Sequence, residues 1–209
     1  MLSPRVLITF SSFTRRYFSS KMTEKSAFIV LAEGAEEMEF VISADVLRRA
    51  GIKVCVAGLT GSDPVKGSRD VFIKPDLSFD EAVKKGPFDV VVLPGGPAYK
   101  LLAKSEEVGA LLKEQEKANR LIAAICAAPV VLKAHGIGSG KEITSYPSVK
   151  SEFDGTSYKY TEDNNVVVDG NIITSRGPGT AFDFALAIVK ILLDENASKK
   201  VADAMLWKY

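Results

Sequence analysis

The stretch Leu121–Pro129, L-I-A-A-I-C-A-A-P, decides the fold. It opens as an unbroken apolar run, the pattern of a strand buried on both faces. Cys126 ends the run. A helix is expected from Ala127 to about His135, with Pro129 inside its first turn, where a missing N–H costs little. A cysteine at such a strand-to-helix turn sits beside unpaired backbone N–H groups and the positive end of a helix dipole. Both favour the reactive thiolate. The turn also aims the side chain out of the sheet, as in nucleophile elbows. The alternative is a buried cysteine acting as a small hydrophobe.

Outward from this unit the chain alternates strands and helices. On the N-terminal side, Ala27–Ala32 reads as a strand. Glu36–Ala50 reads as a helix with Met38, Val41, Ile42, Val46 and Leu47 at core spacing. Lys53–Gly58 is a strand carrying Cys55, and Gly61–Gly67 is a turn. Val71–Lys74 reads as a short strand and Ser78–Lys85 as a short helix capped by Ser78. Val90–Leu93 is another buried strand, halted by the loop Pro94-Gly95-Gly96-Pro97. Ser105–Asn119 is an amphipathic helix with Ser105 as its cap.

Beyond Gly136 the elements shorten. Glu142–Ser145, Tyr158–Thr161, Val166–Asp169 and Asn171–Thr174 are β runs, with a tight turn at Asp169-Gly170, and Pro147–Phe153 reads as a short helix. Arg176-Gly177-Pro178-Gly179 is a loop. Thr180 is placed to cap the helix Ala181–Leu193, and Ala197–Leu206 closes the chain. Repeated β-α units imply a mainly parallel sheet with helices on both faces. Sites in such sheets form at the carboxyl ends of the strands. Glu36–Glu39, Gly95-Gly96, Cys126 and Arg176 all follow strands there, so one shared crevice is the expectation.

Composition narrows the function. The chain has 209 residues, 46% hydrophobic, which suits a single α/β domain over residues 24–209 with a sizeable core. A formal net charge of +1 gives no bias towards nucleic acid. No run approaches the roughly 20 apolar residues of a membrane span. Two cysteines and one histidine make neither a disulfide scaffold nor a usual zinc site. A reducing compartment is the simpler reading.

Residues 1–23 differ from the body. They hold Arg5, Arg15, Arg16, Lys21 and five serines, with no acid before Glu24. That is the composition of a mitochondrial transit peptide, the alternative being a disordered extension. Met22 opens a second start, which would yield a cytoplasmic and nuclear form. Without the four basic residues the net charge goes from +1 to −3.

Cys126 needs a proton carrier. His135 lies nine residues on, roughly 13 Å further along the same helix and half a turn round, so it does not reach the sulfur. A peptidase built on a Cys-His pair therefore lacks its histidine. The best candidate is a carboxylate. Glu36 and Glu37 suit a helix start, which favours acids. Glu39, set between Met38 and Phe40, is placed to face the crevice. Buried near a thiolate it would stay protonated and could shuttle a proton. Gly95 and Gly96 let backbone N–H groups approach a substrate oxygen, with the Ala127 N–H as a second donor. Arg69 and Arg176 are candidates for an anion or carboxylate, or are simply surface residues.

Together these blocks resemble the PfpI-like superfamily, and within it the deglycase branch. The resemblance rests on G-A-E-E-M-E at Gly34–Glu39, A-D-V-L-R-R-A-G-I-K-V at Ala44–Val54 and S-R-D-V at Ser68–Val71. It continues through F-D-V-V-V-L-P-G-G at Phe88–Gly96, L-I-A-A-I-C-A at Leu121–Ala127 and T-S-R-G-P-G-T at Thr174–Thr180. It covers about residues 26–209 and leaves the N-terminal extension outside.

The resemblance implies a flavodoxin-like three-layer α/β/α sandwich and a homodimer. It implies that Cys126 is the nucleophile and oxidation-sensitive thiol, and Glu39 the protonated carboxyl beside it. Gly95, Gly96 and Ala127 would line the oxyanion side, Arg69 would help hold the site, and the Pro178 loop would come from the partner subunit. Implied activities are cofactor-free conversion of methylglyoxal and removal of early glycation adducts from proteins and nucleotides. Redox sensing and chaperone-like protection are implied as well. The chain departs from the family where many members place a histidine before a proline: here stands Tyr146-Pro147. A phenol, with a reference pKa of about 10, is a poor base at neutral pH. Tyr146 remains a possible third group. Two cysteine positions common in vertebrate members are Gly67 and Lys74 here, which concentrates redox chemistry on Cys126.

Overall fold

The structure is a computed structural model that describes residues 24–208. The expectations for residues 1–23, including the transit peptide and the Met22 start, lie outside the described residues. Among the described residues, eleven strands and seven α-helices follow in order. The first half runs β1 (Ser26–Leu31), α1 (Glu37–Arg49), β2 (Lys53–Gly58), β3 (Val65–Lys66), β4 (Phe72–Ile73), β5 (Leu77–Ser78), α2 (Phe79–Val83), β6 (Val90–Leu93), α3 (Tyr99–Leu102) and α4 (Glu106–Lys117). The second half runs β7 (Leu121–Ile125), α5 (Pro129–His135), β8 (Glu142–Ile143), β9 (Lys159–Tyr160), β10 (Val166–Asp169), β11 (Ile172–Ser175), α6 (Ala181–Leu192) and α7 (Glu195–Ala204).

Seven strands form the central sheet in the order β10-β11-β7-β6-β1-β2-β5. Every pairing in it is parallel except the β10–β11 hairpin. From β1 the chain crosses to β2 on one side, whereas from β6 it crosses to β7 on the other. Both crossovers being right-handed, α1 and α4 lie on opposite faces of the sheet. The order reverses between β1 and β6, the switch point at whose carboxyl ends sites form in such sheets. This is the expected flavodoxin-like α/β architecture.

The central strands are apolar because both faces are covered. β1, β6 and β7 are buried almost throughout. Phe28 meets Phe79 and Phe88 edge-on, at centroid distances of 5.4 and 5.1 Å. Local chemistry sets the helix ends: Ser78 and Glu81 form a capping box on α2, the Ser105 hydroxyl accepts the Val108 N–H on α4, and Pro129 opens α5.

Several sequence expectations shift. Gly61–Gly67 is not merely a turn, because Val65–Lys66 pairs with Phe72–Ile73 as a small antiparallel ribbon. Pro147–Phe153 is a 3-10 helix. Thr180 does not cap α6. Its hydroxyl instead accepts the N–H groups of Arg176 and Gly177, at 3.2 and 3.1 Å. On α1 the core face is Phe40, Ala44 and Leu47, one helical stripe. Met38 and Val41, expected in the core, point outward and are about half exposed.

Candidate active site

Cys126 sits between β7 and α5 with φ of +63°, a left-handed conformation that few side chains adopt. Its backbone is held from both sides. Its N–H donates to the Ser175 carbonyl at 3.0 Å, and its carbonyl accepts the Tyr146 N–H at 2.7 Å. These bonds lift the side chain off the end of the sheet, where the N–H groups of Gly96 and Ala127 favour the sulfur's anion. The thiol is buried, with 7% of the residue exposed.

Glu39 comes from α1 and is fully buried. Its Oε2 accepts the Gly95 N–H at 2.7 Å, and its Oε1 has no partner of good geometry. The carboxyl and the Cys126 thiol act on each other. They meet because position 95 is a glycine. A Cβ there would stand 2.5 Å from the Cys126 Cβ and 2.8 Å from Glu39 Oε2.

Burial pushes Glu39 up to about 7, against the Gly95 N–H and the thiol, which favour ionisation. Burial and the facing carboxylate push the Cys126 thiol up to about 12, against the Gly96 and Ala127 N–H groups. At the thiol desolvation thus works against the helix start and outweighs two backbone donors. The two groups titrate as a pair. Above about pH 7 the pair holds one proton, and the second is lost only in strong alkali.

The three glutamates of the Gly34–Glu39 block take different parts. Glu36 is the N-cap of α1, its Oε2 accepting the Glu39 N–H at 2.9 Å. Its own N–H donates to the Gly95 carbonyl at 3.2 Å. Glu37 turns the other way and accepts from the Arg69 N–H at 2.5 Å and the Ser68 hydroxyl at 2.9 Å. Burial works to raise the Glu37 carboxyl, but these donors together with the Val71 N–H hold it below the ordinary value. A favourable helix dipole explains Glu36 and Glu37 only in part. Their reach to Gly95 and to the Ser68–Val71 turn was hidden in tertiary contacts, although three acids within four residues was a signal of divided labour.

Not every candidate converges on the sulfur. The Arg69 guanidinium donates to the Ser68 carbonyl and is exposed. The Arg176 guanidinium is turned to Glu162, donating to its carbonyl at 2.9 Å and its carboxylate at 3.2 Å. Arg176 is therefore beside the crevice by backbone only. The Pro178 loop follows β11 in the same chain. Strands β7 and β11 are neighbours, so Ser175 reaches Cys126, and a Cβ on Gly177 would touch the Tyr146 ring at 3.2 Å. Tyr146 meets Cys126 through its backbone, and the residue is 43% exposed. His135 hydrogen-bonds the Leu102 carbonyl at 3.0 Å, outside the site as expected. Among the described residues, no three His, Cys, Asp or Glu side chains group to hold a metal ion, and no helix is long and apolar enough to cross a membrane.

Comparison with known proteins places this geometry. The model of the DJ-1/PfpI family matches residues 25–191. Protein DJ-1alpha of Drosophila melanogaster is 59% identical over 186 residues, 88% of this chain and 85% of that protein. The glutathione-independent glyoxalase DJR-1.2 of Caenorhabditis elegans is 46% identical over 170 residues, 81% of this chain and 89% of that protein. The crystal structure of Drosophila melanogaster DJ-1beta superposes with a TM-score of 0.86 at 55% identity, covering 89% of this chain and all of that one.

Proposed function

The chain belongs to the DJ-1/PfpI family, and on that premise we propose that it is a cysteine-dependent, cofactor-free enzyme acting on 2-oxoaldehydes and early glycation adducts. The observation that carries this reading is the buried Glu39 carboxyl set against the Cys126 thiol, beside the N–H groups of Gly96 and Ala127. A relative named as a glutathione-independent glyoxalase supports the substrate class.

In the reaction with methylglyoxal, the Cys126 thiolate adds to the aldehyde carbon. The carbonyl electron pair moves to oxygen, where the Gly96 and Ala127 N–H groups hold the charge. Glu39 gives its proton to that oxygen, then takes one from the carbon and delivers it to the neighbouring carbon, leaving a thioester. Water cleaves the thioester, giving lactate and the free thiol. With a glycated amine, the thiolate displaces nitrogen and Glu39 supplies the proton that leaves with it. Lactate formation by Cys126→Ser and Glu39→Gln tests these roles: both variants lose at least about 100-fold, and full retention in either removes its residue from the mechanism.

A second reading is a redox sensor with chaperone-like protection. The unpartnered Glu39 Oε1 favours it, because a protonated Oε1 can donate to a Cys126 sulfinate and halt oxidation there. Mass spectrometry after mild peroxide should find two added oxygens on Cys126. Absence of that adduct sinks the sensor reading. The exposed Met38 and Val41, one turn apart on α1, support a homodimer. Residues 1–23 are read as a mitochondrial address, with the Met22 start supplying a cytoplasmic and nuclear pool. Import assays on the two forms separate these fates.

A further inference from the structure

Thr180 precedes α6 without capping it, because its hydroxyl is engaged in the turn before it. Thr180 Oγ1 accepts the N–H groups of Arg176 and Gly177. It also lies 2.7 Å from Ser175 Oγ and 3.0 Å from the Gly177 carbonyl oxygen. The Ser175 hydroxyl in turn donates to the Asn165 carbonyl at 2.7 Å. Both ends of this turn reach the nucleophile. At one end, the Ser175 carbonyl accepts the Cys126 N–H at 3.0 Å. At the other, Gly177 offers bare backbone to the Tyr146 ring, which would stand 3.2 Å from a Cβ there. The Tyr146 N–H then donates to the Cys126 carbonyl at 2.7 Å. The contacts close a circuit that runs from Cys126 through Ser175, Thr180, Gly177 and Tyr146 back to Cys126.

We propose that Thr180 is a positioning residue for Cys126, its hydroxyl holding the turn between β11 and α6 in the shape that fixes both backbone anchors of the nucleophile. Cys126 needs such anchors, since a φ of +63° persists in a residue with a side chain only where the surroundings impose it. On the Glu39 side the elbow already lies against the Gly95 backbone, where a Cβ would stand 2.5 Å from the Cys126 Cβ. A turn that relaxes therefore lets Cys126 draw back, and the gap to the Glu39 carboxyl opens. Valine has nearly the shape of threonine, but it leaves the Arg176 and Gly177 N–H groups without the acceptor that shapes the turn.

The inference rests on the Cys126–Glu39 reaction proposed above, and two readouts keep them apart. Thr180→Val and Thr180→Ala remove the hydroxyl, whereas Thr180→Ser keeps it. In the full chain, lactate formation from methylglyoxal gives kcat and KM, and hydrogen exchange followed by NMR gives the opening of single amides. Thr180→Val and Thr180→Ala should each lower kcat roughly 10-fold with KM changed less than about 2-fold. In both, the Cys126 and Tyr146 amides should exchange about 10-fold faster while the β1 and β2 amides keep their rates. Thr180→Ser should bring kcat and exchange back to within about 2-fold of the unsubstituted chain. An unchanged kcat without the hydroxyl, equal exchange gains throughout the sheet, or a Thr180→Ser chain as impaired as Thr180→Ala each overturns the role of the hydroxyl. If the unsubstituted chain forms no lactate, the underlying reaction falls, and selective exchange at the two amides decides the anchoring alone.

Discussion

At the scale of residues, the site is a contest between desolvation and a few backbone donors. Glu39 was legible from its place between apolar neighbours, and Cys126 from the end of an apolar strand. What stayed hidden was the thiol's burial, since no local pattern reports how closely α1 and the Gly95-Gly96 loop close over it. The folded-state value of Glu39, about 7, lies above the ordinary 4.5. Its stabilising contribution is complete below the lower value and is lost as pH rises through the upper one. Urea titrations should therefore show the protein losing up to about 3 kcal/mol across that window relative to Glu39→Gln. Parallel curves would show that the carboxyl is not buried as described. Gly95→Ala pushes a methyl into Cys126 and Glu39. It should cost about 1–3 kcal/mol and abolish lactate formation, with full activity refuting the close approach.

At the scale of elements, the strand-helix alternation was readable because buried parallel strands are apolar without interruption. The two-residue strands were not, because so short a segment has no period to detect. The β3–β4 ribbon depends on a distant partner, since Glu37 accepts from the Ser68 hydroxyl and from the N–H groups of Arg69 and Val71. A Cβ on Gly67 would stand 2.5 Å from Glu37 Oε1, so the carboxylate and the glycine are matched. Gly67→Ala should destabilise the chain by about 1–2 kcal/mol, and much less in a Glu37→Ala background. Additive costs in the double-mutant cycle would separate the two positions.

At the scale of the whole molecule, the sheet's switch point brings β1, β6 and β7 to one end, and the site is assembled from the segments that follow them. The parallel sheet and the crevice were foreseeable from topology rules alone. The outward face of α1 was not, because the helical stripe through Phe40, Ala44 and Leu47 claims the core and turns Met38 and Val41 to solvent. Val41→Glu should convert the proposed dimer to monomer in sedimentation velocity, and an unchanged dimer would place the interface elsewhere. Arg176 and Arg69 show the opposite failure. Both lie in motif blocks near the site, yet local hydrogen bonds turn their guanidinium groups away from the sulfur.

The pH dependence of Cys126 alkylation in a Cys55→Ser chain reads the titration of the Cys126–Glu39 pair most directly. Reactivity should rise with a midpoint near 7, where the pair loses its first proton, and then stay level. In Glu39→Gln that midpoint should vanish. A rise only at the ordinary cysteine value of about 8.5 or higher, unaltered by Glu39→Gln, would contradict the coupling of thiol and carboxyl.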